Sequence, residues 1–175
     1  METAPMETEQ RLVKLSSSQG DVFEVEFGTA CYADVVKQMI DFTSESSDAE
    51  TIPLNLKTTV LEKVLQYCDY HRDNEPKEIP KPLPTTNLGE IVGDWDAAFI
   101  NVDDENMLYE LILAANYLDI KPLLDLACAK AACAIKHMTP DAIREHFNLQ
   151  PEQMTPEEEQ EMLEELKWCT DGGAA

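Results

Sequence analysis

Three histidines (His71, His137, His146) and five cysteines (Cys31, Cys68, Cys128, Cys133, Cys169) are the side chains here best suited to bind a metal or attack an electrophile. Their spacing supports neither role. Zinc sites need ligands paired a few residues apart, yet the histidines fall on different expected elements, and four residues separate Cys128 from Cys133. A Cys–His nucleophile would need spatial adjacency, and inert buried thiols are the simpler reading of scattered cysteines. The glycines at 89, 93, 172 and 173 do not sit between a strand and a helix, so no phosphate-cradling loop is indicated. The run Glu157-Glu158-Glu159-Gln160-Glu161 lacks the alternating Asp/Asn ligands and turn glycine of a calcium loop. It suits instead a helix start, where carboxylates meet the positive end of the macrodipole. No catalytic, cofactor or metal site is expected, and hence no enzyme.

Composition narrows the partners. The 175 residues carry 35 acidic and 13 basic side chains, a formal net charge of −22. Such a surface repels phosphate backbones and anionic headgroups, which disfavours nucleic acid and membranes and favours proteins with basic patches. At 43% hydrophobic, with two Trp and five Phe, the chain has material for a real core. The opening METAPMETEQ has no apolar stretch of the secretory kind. The longest apolar-dominated run, Met107 to Leu118, contains Glu110 and Asn116 and is too short to span a bilayer. An odd number of cysteines without a secretory signal implies reduced thiols, so the expected location is cytoplasm and nucleus.

The elements that must carry any site follow from periodicity. Arg11–Leu15 and Val22–Glu26 alternate around the turn Ser17-Ser18-Gln19-Gly20, predicting a β-hairpin. Val35, Val36, Met39 and Ile40 mark a short amphipathic helix that runs into the polar stretch 43–48. Thr51–Leu54 fits an edge strand, since Pro53 has no N–H to donate. Val60, Leu61, Val64, Leu65 and Cys68 form a helical stripe ending near His71. Pro76, Pro80, Pro82 and Pro84 then forbid a helix and predict an extended, solvated and mobile insert at about 74–93. The remainder is helical. Leu108, Leu111, Ile112, Ala115 and Leu118 mark a helix starting after Asp103-Asp104. Pro122 opens the next helix, with the stripe Leu124, Ala127, Cys128, Ala131 and Ile135. Thr139-Pro140 and Thr155-Pro156 each provide an N-cap followed by a proline in the first turn.

Two helical stretches have more apolar surface than one core face needs. Tyr109, Leu113 and Tyr117 lie opposite the Leu108–Leu118 stripe, with Asn116 flanking. Such a helix is either central in its domain or touches another protein, and the wheel alone favours the first. Near the C-terminus, Ile143, Phe147, Leu149, Met162, Leu163, Leu166 and Trp168 sit in a strongly acidic context, with eight acids against one base over 151–175. A short charged helix is marginal alone, so this apolar set is either core or a docking surface.

Trp95-Asp96 with Phe99, the run Glu110-Leu111-Ile112-Leu113-Ala114-Ala115-Asn116-Tyr117-Leu118-Asp119-Ile120-Lys121, and Leu123-Leu124-Asp125 with Cys128 closely resemble the Skp family. These are S-phase-kinase-associated adaptors of cullin-based ubiquitin ligases. Thr139-Pro140, Ile143-Arg144, Phe147-Asn148 and Trp168-Cys169 resemble the family's end, and the likeness spans about residues 10–169. It implies an α+β fold: a BTB/POZ-type core over 10–118, then a C-terminal helical extension over 119–169. It also implies a non-catalytic bridge between a cullin and an F-box substrate receptor. Asn116 and Tyr117 match the cullin contact. Leu124, Cys128, Ala131, Ile135, Ile143, Phe147, Leu149 and Trp168 match the F-box surface. Weak self-association is expected when the receptor surface is empty. The alternative is a BTB-type structural module that binds F-box proteins outside any ligase.

Overall fold

The computed structural model describes residues 11–43, 51–102 and 104–147, with positions 160, 162 and 164. The chain falls into two compact units, one ending at Lys136 and one beginning at His137. The helix expected to start the extension therefore belongs, by its packing, to the first unit.

That unit opens with a three-stranded sheet of order β2-β1-β3. β1 (Leu12–Ser16) and β2 (Val22–Glu26) pair antiparallel from Leu12↔Glu26 to Ser16↔Val22, forming the expected hairpin. In its turn the Ser17 hydroxyl accepts from the backbone N–H groups of Gln19 and Asp21, each at 3.2 Å. Gly20 adopts φ 92°, a conformation that costs a side-chain-bearing residue far more. β3 (Ile52–Pro53) pairs parallel to β1 at the sheet edge, where the missing N–H of Pro53 breaks no ladder. Val13, Leu15 and Ile52 turn inward, as the strand period requires.

Helices α1 (Phe27–Ala30) and α2 (Asp34–Thr43) follow the hairpin. α3 (Thr58–Asp73) forms the middle of the unit and packs against α1 and against α5 (Glu105–Tyr117). Its buried face holds Val60, Leu61, Val64 and Cys68 as the stripe predicts, and also Tyr67 and His71. Its N-cap, Lys57, offers no side-chain acceptor. Gln19 of the hairpin turn supplies one instead, its Oε1 accepting from the Thr58 N–H at 2.9 Å.

α5 begins as its sequence demands, with the Asp104 carboxylate accepting from the Asn106 N–H at 3.0 Å. It ends where Asp119 takes φ 53° and the Ile120 N–H reaches back to the Ala115 carbonyl at 2.9 Å. α6 (Lys121–Ile135) follows at once, with Pro122 in its first turn, and packs along α5. In the second unit α7 (Pro140–His146) is capped by Thr139, whose hydroxyl accepts from the Ala142 N–H at 3.2 Å. The helix expected from Thr155-Pro156 lies outside the described residues, apart from helical positions 160, 162 and 164.

The segment between α3 and α4 (Asp94–Phe99) differs from a solvated chain. No helix forms before a 3-10 turn at Leu88–Glu90, in keeping with the prolines. Leu88 and Val92 are nevertheless buried, and Ile79 and Leu83 pack half-buried on the core. The base of the excursion is closed by His71. Its Nδ1 donates to the Asn74 carbonyl at 2.8 Å, and its Nε2 meets Asp96 Oδ1, also at 2.8 Å. Around this pair the rings of Tyr70 and Trp95 stack at 3.8 Å, Trp95 and Phe99 stack at 5.0 Å, and Tyr67 lies 4.2 Å from the imidazole. Such ring pairs add about 0.5–1.5 kcal/mol each beyond their buried area.

Both ring nitrogens of His71 are thus partnered in a site closed to water. Asp96→Ala is expected to strand the Nε2 side and lower stability by about 1–3 kcal/mol, whereas Asp96→Asn, which keeps a polar partner, loses less. Urea unfolding of the three proteins measures the difference.

Candidate protein-docking surfaces

α5 is not buried all round. Leu108, Leu111, Ala114 and Ala115 form its covered face, with Leu118 beyond its end. On the other side Leu113 is 67% exposed and Tyr117 41% exposed, with Asn116 exposed beside them. The central-helix reading of the wheel is corrected here, because α3 and α6 cover one side only. The exposed end is held firmly. The Val35 N–H of α2 donates to the Leu118 carbonyl at 3.4 Å, and Lys57 pairs with Glu110 on the preceding turns. Asn116 and Tyr117 are therefore presented together from a fixed helix end. Leu113, one turn before Tyr117, joins them, and the i, i+4 spacing in the sequence was the signal for it.

α6 also has two apolar sides. Leu123, Leu126 and Ala127 turn to the core. Of the stripe marked in the sequence, only Ala127 is buried; Leu124, Ala131 and Ile135 are half-buried and Cys128 is exposed. The stripe is thus mainly the outward face. The small side chains Cys128 and Ala131 make it a shallow strip rather than a ridge. In the second unit Ile143 is half-buried and Phe147 is 38% exposed, its ring edge-on to His146 at 4.9 Å. Leu149 and Trp168 lie outside the described residues.

Among the described residues no group of three or more His, Cys, Asp or Glu side chains is placed to hold a metal ion, and no helix is long and apolar enough to cross a membrane. Burial pushes the Cys68 thiol up to about 12. Cys31 and Cys128 are also raised, chiefly by burial, with Asp41 and Asp125 adding to the rise and Lys37 and Lys81 opposing it. Activated cysteine nucleophiles are shifted the other way.

The fold is a small mixed sheet with a helical core and outward apolar strips on its later helices. It is an α+β fold of BTB/POZ type followed by a helical C-terminal region. Residues 11–73 match the family model described as the Skp1 family tetramerisation domain, and residues 121–169 match that of the Skp1 family dimerisation domain. The chain is 49% identical to the S-phase kinase-associated protein 1 homolog of Tetrahymena thermophila, covering 90% of this chain and 93% of that one. It is 43% identical to the SCF ubiquitin ligase complex protein SKP1a of Dictyostelium discoideum, over 93% and 98% of the two chains. It is 38% identical to the E3 ubiquitin ligase complex SCF subunit sconC of Arthroderma otae, over 91% and 94%. The chain belongs to the Skp1 family.

The thiol environments make a direct prediction. With native protein and an excess of a small alkylating reagent at pH 8, Cys128 is expected to label readily and Cys68 to remain unmodified, as peptide mass spectrometry will show. Raising the pH to 10 still leaves Cys68 below its titration point, so its labelling stays slow. Rapid labelling at Cys68 would mean that α3 opens.

Proposed function

We propose that this chain is the adaptor of an SCF-type ubiquitin ligase, joining an F-box substrate receptor to the N-terminal region of a cullin so that the receptor's cargo is ubiquitinated and degraded. As a member of the Skp1 family it is an adaptor-type subunit and not an enzyme. The observation that carries the reading is the presence, in a member of that family, of outward apolar strips on two successive helices. Asn116 and Tyr117, with Leu113, serve the cullin. Leu124, Cys128, Ala131 and Ile135, with Ile143, Phe147, Leu149 and Trp168, serve the F-box. The relatives named as SCF subunits support the same assignment.

The contribution to catalysis is proximity. An adaptor that fixes receptor and scaffold relative to each other raises the effective concentration of substrate near a conjugating enzyme carried elsewhere on the complex. The net charge of −22 steers basic partner surfaces toward it, a rate effect that weakens with salt. The proposed setting is the cytoplasm and nucleus. Without a receptor, the partly exposed α6 strip allows no more than weak self-association, because the net charge of −22 opposes it.

Tyr117→Lys places a charge at an exposed aromatic, so the fold tolerates it while cullin affinity drops by about 30-fold or more, as expected for a central aromatic anchor. Phe147→Ala is expected to cut F-box affinity about tenfold and spare the cullin. Pull-downs of wild type and both variants, with F-box proteins and cullins identified by mass spectrometry, test the pair. Recovery of F-box proteins with no cullin by the wild type would make the chain a binding module outside the ligase.

A further inference from the structure

The segment 74–93 lies between the two spans matched by the family models, yet it is tied to α6. Lys81 Nζ pairs with Asp125 Oδ1 at 2.8 Å, and Lys136 Nζ donates to the Leu83 carbonyl at 3.4 Å. With His71 closing its base and Leu88 buried beyond, the segment is held along its length. Between it and α6 opens a groove of about 490 Å³, a size typical of clefts that take ligands or clustered side chains. Its walls are Ile79, Pro82 and Leu83 on one side and Cys128, Ala132 and Ile135 on the other. The charged lining groups, Lys81, Asp125 and Lys136, are engaged in the contacts that pin the segment.

We propose that Ile79–Leu83 form a second wall of the receptor-docking face, and that the F-box seats a bulky apolar side chain between this wall and α6. The proposal rests on the reading of α6 as the receptor-facing helix and adds to it the residues that select among receptors. Continuity carries the argument: Cys128 and Ile135 belong both to the outward strip of α6 and to the groove. A partner lying along Leu124, Cys128, Ala131 and Ile135 has the groove at its margin, with the segment as the far bank. A second copy of this chain is the poorer occupant, since two molecules each carrying a net charge of −22 repel. Receptors with a large aliphatic or aromatic side chain at the matching place gain contact area from this wall, and those with a small one do not.

The test uses the full-length chain, F-box domains of receptors recovered in the pull-down, and a cullin N-terminal fragment. Leu83→Asp is expected to weaken F-box binding at least tenfold and to leave cullin affinity within twofold. Leu83→Cys gives a second readout that a fold defect does not mimic: its thiol alkylates in the free protein and is protected in the F-box complex. Unchanged F-box affinity for Leu83→Asp, or a thiol at 83 that stays open in the complex, overturns the proposal. Tighter F-box binding by Leu83→Asp overturns it too, because the segment would then be a cover that the receptor displaces. Failure of the wild type to bind any F-box domain, or Cys128 remaining open in the complex, brings down the underlying reading of α6. Protection of Cys128 with position 83 open brings down the second wall alone.

Discussion

A single buried imidazole organises the second half of the first unit. His71 sits at the last turn of α3 with a backbone carbonyl on one ring nitrogen and the Asp96 carboxylate on the other, inside a shell of Tyr67, Tyr70, Trp95 and Phe99. Burying polar groups is costly unless every one is partnered, so the arrangement tolerates little variation in where α4 docks. Fixing α4 on α3 closes the loop formed by 74–93 and returns the chain to the core at Phe99 and Ile100, just ahead of α5. The aromatic contacts give the dock its apolar area, and the His–Asp contact gives it a unique register.

From that dock onward the helices are apolar on two sides. α5 buries one side against α3 and α6, α6 buries one side along α5, and the outward side of each is apolar and partly exposed. The exposed parts of Leu113 and Tyr117 add little to folding, and on the outward strip of α6 Cys128 is exposed while Leu124 and Ala131 keep partial contact with the core. In the proposed function such positions are surfaces that another chain completes. The high density of acids counters the tendency of such strips to associate with one another, and at the same time biases encounters toward basic partners.

The proline-rich segment shows how the same composition serves two outcomes. Prolines at 76, 80, 82 and 84 exclude helix and strand ladder alike, which in isolation describes a linker. Here the stiffness is useful, because a chain with few backbone states loses less entropy when it is laid against a helix. Lys81, Ile79, Leu83 and Leu88 then supply the contacts that hold it. Exposed ion pairs such as Lys81–Asp125 are individually weak, so the apolar contacts carry most of the hold and the charges set where it lies.

The sequence by itself determined everything whose cause is local. The hairpin, the stripe of α3, the Asp104 and Thr139 caps and the prolines opening α6 and α7 depend on neighbours within a turn or two, and all were legible. The Glu110–Lys121 run likewise made the family legible, and Tyr117 stood out by its place on the wheel. Only the tertiary structure decided which apolar face is covered, because periodicity marks a face as apolar without saying what lies over it. It placed Ala127 inside and Cys128 outside on one stripe, left Leu113 in water, and laid the segment 74–93 on α6. α1, α4 and the turn at Leu88 are too short to show a period and form through contacts made elsewhere. Those contacts join residues far apart in the chain, 25 positions for His71 with Asp96 and 44 for Lys81 with Asp125. No local rule sees across such distances; they are settled when the core closes and each buried polar group must find its partner.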